Sequence, residues 1–243
     1  MYPARLDSPP RPSAPLTAAL ALACALLLAL VAVRWSPLMG LDADIVRTLH
    51  RGAVAEPGLT RAHRVLSDWV WDPWTMRAGC AVLAGLVVWR LRDRVLGAWL
   101  IVTCALGSLV QQALKAAVDR PRPVWPDPVD SAHFAAFPSG HAMTATVVCG
   151  LALWLLRRYG AGPALWGAAL AVAVVSVLGV GLTRLWLGVH WPSDVLGGWL
   201  LGALTVAAST AAYGKYRGAR TGAGTGTRTG AGTGTGPGPN SPS

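Results

Sequence analysis

The stretch between residues 115 and 194 decides the fold of this chain, because it sets three polar segments among apolar ones: KAAVDRPRP at 115–123, PSGH at 138–141 and TRLWLGVHWPSD at 183–194. The segments carry three cations, two histidines, one carboxylate and a Ser-Gly pair: Lys115, Arg122, Arg184, His141, His190, Asp194, Ser139 and Gly140. These side chains lie far apart in the sequence. Any shared role therefore requires that the fold bring the three segments together.

The composition is that of an integral membrane protein. Of the 243 residues, 53% are hydrophobic and only 13% are charged, with a mean hydropathy of +0.45. A soluble domain carries about 25% charged residues, so this chain must hide an unusual share of its surface from water. Several of its runs approach the ~20 apolar residues that a helix needs to cross a bilayer. We therefore predict an all-α membrane domain.

A net charge of +10 is also typical of proteins that bind nucleic acid. Here, however, most Lys and Arg residues lie in short loops between apolar runs. That pattern is typical of a membrane protein that contacts anionic lipid headgroups. We therefore expect membrane lipids, and not nucleic acid, as partners.

Six apolar runs predict a bundle of six transmembrane helices. They are Leu16–Val33, Ala78–Trp89, Val95–Ala117, Gly140–Leu156 (with Ser139 as the alternative first residue), Pro163–Leu182 and Asp194–Tyr213. The second run is short unless its helix begins as early as Thr75. Gly198 and Gly202 place small residues four apart on the sixth helix, a spacing that allows close contact between helices.

The membrane domain is expected to occupy residues 16–213, with a disordered tail on each side. Residues 1–15 are polar and rich in proline, and residues 214–243 are rich in Gly and Thr. Neither composition can build an apolar core.

The polar segment 34–74 separates the first two spans. Within it, Ile45, Val46 and Leu49 share one face of a helix. This pattern predicts a short amphipathic helix, either on the membrane surface or packed over the end of the bundle.

The distribution of Lys and Arg favours cytoplasmic termini in the plasma (inner) membrane. The turns after the second and fourth spans are short and basic, with Arg90, Arg92, Arg94, Arg157 and Arg158. In a six-helix bundle, both loops that carry the polar segments then lie on the extracytoplasmic side. We therefore expect the three segments to meet at one end of the bundle.

The polar residues suit the binding of a phosphate group. A phosphomonoester is an anion, and Lys115, Arg122 and Arg184 are able to neutralise it, two of them through planar guanidinium groups. Ser139 and Gly140 begin the fourth span, where free backbone N–H groups attract an anion. The sequence thus predicts a phosphate site.

No metal or other cofactor is expected. Cys24, Cys80, Cys104 and Cys149 all lie in apolar runs without a CxxC pair, which argues against a metal site or a disulfide. The acidic residues of the loop between the third and fourth spans lie among prolines, and we interpret them as polar surface: Asp119, Asp127 and Asp130.

Two histidines provide groups for phosphoryl transfer. His190 and Asp194 are four apart, so on a helical turn the carboxylate reaches the imidazole and leaves its other nitrogen free to attack phosphorus. His141 follows the Ser-Gly pair, where an imidazole is able to protonate the leaving oxygen and then activate water. The remaining histidines have no partners at useful spacing, and we expect them on the surface: His50, His63 and His133.

Each of these residues also has a purely structural interpretation. Lys115 and Arg184 are typical interfacial anchors near helix ends, while Ser139 and Asp194 are typical helix N-caps. Such roles do not explain why three cations, two histidines and an acid are expected at one membrane face.

The order and spacing of the segments resemble the signatures of the type 2 phosphatidic acid phosphatase (PAP2) superfamily. The matching residues are Lys115…Arg122-Pro123, Pro138-Ser139-Gly140-His141 and Thr183-Arg184…His190…Asp194. The resemblance covers residues 16–213, and its one departure is Thr183, where the family usually has serine. Because threonine keeps the hydroxyl group, the departure casts little doubt on the chemistry.

The resemblance implies a metal-independent phosphatase that works through a phosphohistidine on His190. Asp194 would orient this nucleophile, and His141 would act as acid and then base. The phosphate would be bound by Lys115, Arg122, Ser139, Gly140 and Arg184. The implied substrates are lipid phosphates, such as phosphatidic acid, phosphatidylglycerophosphate or a polyprenyl diphosphate. Two alternatives are a phosphotransferase that uses an alcohol in place of water, and a carrier that binds lipid phosphates without hydrolysing them.

Overall fold

The structure is a computed structural model that describes residues 13–225, with side chains described as far as Arg220. This part of the chain contains eight α-helices and no strand. They are α1 (Ala14–Ala32), α2 (Ser36–Ala55), α3 (Pro57–Val65), α4 (Pro73–Leu91), α5 (Arg94–Val118), α6 (Gly140–Arg158), α7 (Pro163–Trp186) and α8 (Pro192–Thr225). One π-helical turn, Leu66–Val70, continues α3. The predicted all-α fold is confirmed, whereas most of the predicted N-terminal tail lies outside the described residues.

Five of the described helices are long and apolar enough to cross a membrane: α1, α5, α6, α7 and α8. The helix α4 takes the place of the predicted second span and is 19 residues long. It is less apolar than the other five because it contains Arg77 and Arg90. The predicted bundle is therefore present, and α4 is the most polar of these six helices.

The helix α6 lies at the centre of the bundle, where it contacts α4, α5, α7 and α8. Its apolar side chains join a buried cluster with those of neighbouring helices, including Leu96, Leu100, Val147, Leu151, Trp154 and Tyr213. Since α6 begins at the PSGH segment, this central position fixes Ser139 and Gly140 at the end of the bundle.

Two glycines of α8 allow it to lie directly against α6. A Cβ atom at Gly198 would be 2.6 Å from the carbonyl oxygen of Ser139, and one at Gly202 would be 2.7 Å from Cβ of Thr146. Both distances are shorter than real contacts allow. The close packing predicted from the spacing of these two glycines is confirmed.

The segment between α1 and α4 packs over the end of the bundle. The helix α2 contacts α7 and α8, and it buries Asp42, Val46, His50 and Ala53. Of the two predicted locations, the structure therefore has the one over the bundle. Ile45 is exposed, which differs from the prediction because the buried face of α2 is centred on Val46.

The predicted end of the sixth span at Tyr213 is wrong, because α8 continues to Thr225. Tyr213 is fully buried and packs edge-on against Trp99 and Trp154. Tyr216 then stacks on Trp99 with ring centroids 6.0 Å apart. These aromatic contacts with α5 and α6 extend the helix into the segment predicted to be flexible, whose remainder from residue 226 lies outside the described residues.

We expect Gly198→Ala to destabilise the protein, because the new methyl group would collide with the backbone of Ser139. Overpacking of this kind costs about 1–3 kcal/mol, which exceeds the gain of up to ~1 kcal/mol from replacing glycine by alanine in a helix. Thermal unfolding in detergent is the measurement, and the apparent Tm should fall by several degrees.

The matched control is Gly167→Ala in α7, where no atom lies within 4 Å of the added Cβ. This variant should melt at or slightly above the temperature of the wild type. Equal melting temperatures for the two variants would contradict the close packing of α6 and α8.

Candidate active site

The three polar segments meet at one end of the bundle, around an open cavity of about 670 Å³. Six of the eight predicted site residues line it: Lys115, Arg122, Gly140, His141, Arg184 and His190. The other two lie beside it, because Asp194 contacts His190 and the N–H of Ser139 donates to the carbonyl oxygen of Asp194 at 2.9 Å. The fold thus assembles all eight residues, while their chemical roles stay predictions.

His190 is held between a carboxylate and a guanidinium group. Its Nδ1 lies 3.3 Å from Oδ2 of Asp194, and its Nε2 lies 3.2 Å from Nη1 of Arg122. An arginine only donates hydrogen bonds, so Nε2 is the acceptor and the proton of the neutral ring lies on Nδ1. The lone pair of Nε2 is therefore directed toward a cation that lines the cavity.

The environment of His190 favours the neutral imidazole. The side chain is only 1% exposed, and burial together with the nearby charges of Arg122 and Arg184 holds its pKa well below the usual value. A lower pKa means that the ring stays unprotonated at neutral and mildly acidic pH. His190 is thus in the form that a nucleophile requires.

The three predicted phosphate-binding cations are anchored to the protein by some of their donors. Lys115 donates to the carbonyl oxygen of Ala135, and Arg184 donates to Oγ of Ser67 at 2.6 Å. Arg122 donates to the carbonyl oxygens of Phe134 and Val189. Lys115 and Arg184 are buried, which favours a role in the cavity over interfacial anchoring. The donors that remain are available to a phosphate group.

Ser139 does not cap α6 with its side chain. It occupies the N-cap position without a side-chain hydrogen bond, and its Oγ is buried with no partner among the described residues. The first N–H groups of α6 are likewise free to meet an anion at the helix N-terminus. The hydroxyl of Ser139 is therefore available to a ligand.

Two buried charged residues, Arg120 and Asp42, support Asp194 on the side away from His190. Nη1 of Arg120 lies 2.7 Å from Oδ1 of Asp194, and Nη2 lies 2.7 Å from Oδ2 of Asp42. The other oxygen of Asp42 accepts the N–H of Ser193 at 2.9 Å. Arg120 thus occupies Oδ1 of Asp194 and leaves Oδ2 to His190.

Neither Arg120 nor Asp42 was predicted from the sequence to belong to the site. Arg120 lies inside the first polar segment but had no assigned role. Asp42 lies far upstream in α2, and its only signal is that it shares a helical face with Val46 and His50, four and eight residues later. A carboxylate on the apolar face of an amphipathic helix is the feature that could have revealed it.

The prediction that His50 and His63 lie on the surface is wrong. His50 is buried and stacks on Trp125 with ring centroids 3.9 Å apart, and its Nε2 lies 3.2 Å from Oδ1 of Asp127. His63 is partly buried, and its Nδ1 lies 3.3 Å from Oγ1 of Thr183. Both are covered because α2 and α3 fold over this end of the bundle, where His50 contacts the loop before α6 and His63 contacts α7.

Of the three acidic residues of the loop, Asp119 is exposed as predicted, whereas Asp127 and Asp130 are more than polar surface. Asp127 is the partner of His50, and Asp130 lines the cavity together with Asp68 and Asp72. Among the residues that the structure describes, no group of three or more His, Cys, Asp or Glu side chains is arranged to hold a metal ion. Phosphoryl transfer without a metal stays a prediction.

Comparison with known families and folds agrees with these findings. The sequence model of the PAP2 superfamily matches residues 96–217. A crystal structure of a transmembrane PAP2 type phosphatidylglycerolphosphate phosphatase from Bacillus subtilis has the same fold, with a TM-score of 0.70 and 21% sequence identity. The similarity covers 84% of this chain and 96% of that one.

Curated relatives match the chain over a shorter region. Phosphatidylglycerophosphatase B of Bacillus subtilis is 32% identical over 127 residues, which is 51% of this chain and 61% of that protein. Undecaprenyl-diphosphatase of Sulfolobus acidocaldarius is 27% identical over 145 residues, which is 56% and 60% of the two chains. A lipid A 1-phosphatase of Rhizobium johnstonii is 32% identical over 117 residues, 44% of each. The chain spans about three fifths of the length of the first two relatives.

We expect Arg120→Gln to lower kcat for phosphate release from a lipid phosphate by about 10- to 100-fold. The change removes a charged hydrogen bond to Asp194, which is worth ~1.5–3 kcal/mol and corresponds to about one to two powers of ten in rate. The KM should change much less, because Arg120 contacts Asp194 and does not line the cavity in which the substrate binds.

The control for this variant is Arg47→Gln. Arg47 is an exposed arginine of α2 that pairs with Asp44, so its loss should leave kcat unchanged. A folded Arg120→Gln protein with the kcat of the wild type would show that Asp194 does not depend on this ion pair.

Proposed function

Since the chain belongs to the PAP2 superfamily, we propose that it is an integral membrane phosphatase that releases the terminal phosphate of lipid phosphates. The observation that carries this proposal is the position of His190, whose Nε2 faces a cavity lined by Lys115, Arg122 and Arg184. The names of three relatives support a lipid phosphate as substrate: phosphatidylglycerophosphatase B, undecaprenyl-diphosphatase and lipid A 1-phosphatase.

Binding places the phosphate between the cations and the start of α6. The charges of Lys115, Arg122 and Arg184 neutralise the phosphate oxygens, and the charge that spreads over these oxygens in the transition state strengthens the contacts. The hydroxyl of Ser139 and the N–H groups at Gly140 supply further donors. Each of these groups is fixed by its helix or by hydrogen bonds to the protein, so little reorganisation is needed.

In the first chemical step, Nε2 of His190 attacks phosphorus as the bond between phosphorus and the lipid oxygen breaks. The electron pair of that bond leaves with the oxygen, which takes a proton from His141. Asp194 stabilises the positive charge that develops on the His190 ring through its contact with Nδ1. The products are a lipid alcohol and a phosphohistidine.

In the second step, water attacks the phosphohistidine. His141, which lost its proton in the first step, accepts one from the water molecule. The bond between phosphorus and Nε2 breaks, inorganic phosphate leaves, and both histidines return to their starting forms. The overall reaction consumes one water molecule and needs no cofactor.

The location of the cavity suits a substrate that stays in the bilayer. The cavity lies where α5 ends and α6 begins, so the phosphate lies at the membrane surface while the lipid chain remains among the helices or in the bilayer. The proposal includes the extracytoplasmic face of the plasma membrane for this end, with cytoplasmic termini. The short basic turns on the other side support that orientation.

Purified protein in detergent should release phosphate from a panel of lipid phosphates, equally well with and without EDTA. Replacing His190 by alanine should lower this activity at least about 1,000-fold, because the nucleophile is lost. The measurement is inorganic phosphate released per minute. Arg61→Gln, which removes an exposed arginine of α3 that does not line the cavity, should keep activity within about threefold of the wild type.

Three outcomes would contradict the proposal in different ways. Inhibition by EDTA would point to a metal-dependent reaction. Transfer of phosphate to an added alcohol in preference to water would favour the phosphotransferase. Binding of lipid phosphates without turnover, unchanged in His190→Ala, would favour the carrier.

A further inference from the structure

Arg77 is a cation of the cavity that the proposed reaction does not use. It belongs to the second turn of α4 and lines the active-site cavity. It also lines a smaller space between α4, α5 and α6 that contains Ser108, Gln111 and Thr144. Its side chain is therefore directed into the bundle, on the membrane side of the phosphate-binding residues.

The guanidinium group of Arg77 has no polar partner among the described residues. Its Nε is buried without a hydrogen bond, and no carboxylate of the described chain pairs with it. Its guanidinium carbon lies over the ring of Trp74, 5.2 Å from the ring centroid. A partly buried cation near a membrane is costly unless a partner neutralises it. An anionic ligand in the cavity would supply such a partner.

Gln111 is a second unpartnered donor in the same place. It lies four residues before Lys115 on α5, which places it about 6 Å deeper along the helix, and it lines both the cavity and the smaller space. Although the residue is only 6% exposed, no described residue forms a hydrogen bond with its amide. The amide packs against Gly140, where an added Cβ would be 2.7 Å from its Nε2.

These donors differ from those that bind the reacting phosphate. Lys115, Arg122 and Arg184 each donate to an oxygen atom of the protein, whereas Arg77 and Gln111 donate to none. We propose that Arg77 and Gln111 form a second anion subsite. It would bind another phosphate of the substrate, located between the phosphate that is cleaved and the lipid chain. This inference rests on the proposed function.

The acidic residues of the cavity support this location for the second phosphate. Asp72 caps the start of α4 and lies five residues before Arg77, about 7.5 Å nearer the membrane surface. Asp68 and Asp130 line the cavity from the segments beside that helix end. The three carboxylates thus lie on the surface side of the cavity, beside Arg122 and Arg184, whereas its membrane side holds Arg77. An additional phosphate is repelled by the carboxylates on the surface side and attracted by Arg77 on the membrane side.

Two classes of lipid carry a phosphate at this position. In a lipid diphosphate, the second phosphate is bonded directly to the one that is cleaved. In phosphatidylglycerophosphate, a glycerol unit separates the two. Phosphatidic acid has a single phosphate and leaves the subsite empty. The subsite should therefore favour the first two classes over phosphatidic acid.

The test compares Arg77→Gln with the wild type on all three substrates. We expect kcat/KM to fall about tenfold or more for a polyprenyl diphosphate, for phosphatidylglycerophosphate or for both, mainly through KM, and to stay within about twofold for phosphatidic acid. Arg77→Lys keeps a charge and should recover part of the loss. Arg61→Gln removes an exposed arginine of α3 and should change none of the three. The substrate whose kcat/KM falls most in Arg77→Gln identifies the lipid class whose second phosphate the subsite binds.

Two results would overturn the inference. An equal loss on all three substrates would mean that Arg77 shapes the whole cavity, and no loss on any of them would mean that it is an anchor stacked on Trp74. A wild type that is inactive on every lipid would count against the proposed function instead. In that case, equilibrium binding of the three lipids to His190→Ala, with and without Arg77→Gln, still decides the inference. Weaker binding confined to the lipids with two phosphates supports it, and any other pattern overturns it.

Discussion

The buried ion pair between Arg120 and Asp194 is the interaction on which the rest of the site depends. Asp194 is completely buried, and a buried carboxylate without a partner would be strongly destabilising or would become protonated. Arg120 neutralises one oxygen, which leaves the other to accept from Nδ1 of His190 and from the N–H of Trp191. The backbone of Asp194 also accepts from Ser139. One residue thus connects all three polar segments.

The support for this pair comes from outside the region of the family match. Asp42, which holds the other side of Arg120, lies in α2, before the matched residues 96–217. The close contact of α6 and α8 at Gly198 and the buried face of α2 at Val46 keep these charged residues away from water. The precision of the site therefore depends on packing between helices as well as on the signature residues.

The sequence was sufficient to predict the helical class, the positions of the long helices and the eight residues that meet around the cavity. These depend on local composition and on short segments whose spacing is fixed along the chain. Arg120 and Asp42 could not be paired from the sequence, because their contact depends on how α2 folds over the bundle. The environments of His50 and His63 were missed for the same reason. The length of α8 was underestimated because Tyr213 and Tyr216 are held by Trp99 of another helix, which outweighs the low helix propensity of the glycines around them.

The most direct measurement of the central claim is the detection of phosphate on His190 itself. With p-nitrophenyl phosphate, whose leaving group needs no proton from His141, a His141→Gln variant should form the phosphoenzyme and fail to hydrolyse it. Quenched at alkaline pH and analysed by mass spectrometry, this variant should carry an acid-labile phosphate on His190. The double variant with His190→Ala should carry none. Release of p-nitrophenol by the wild type, with no phosphohistidine in His141→Gln under any quench condition, would contradict the account and point to direct attack by water.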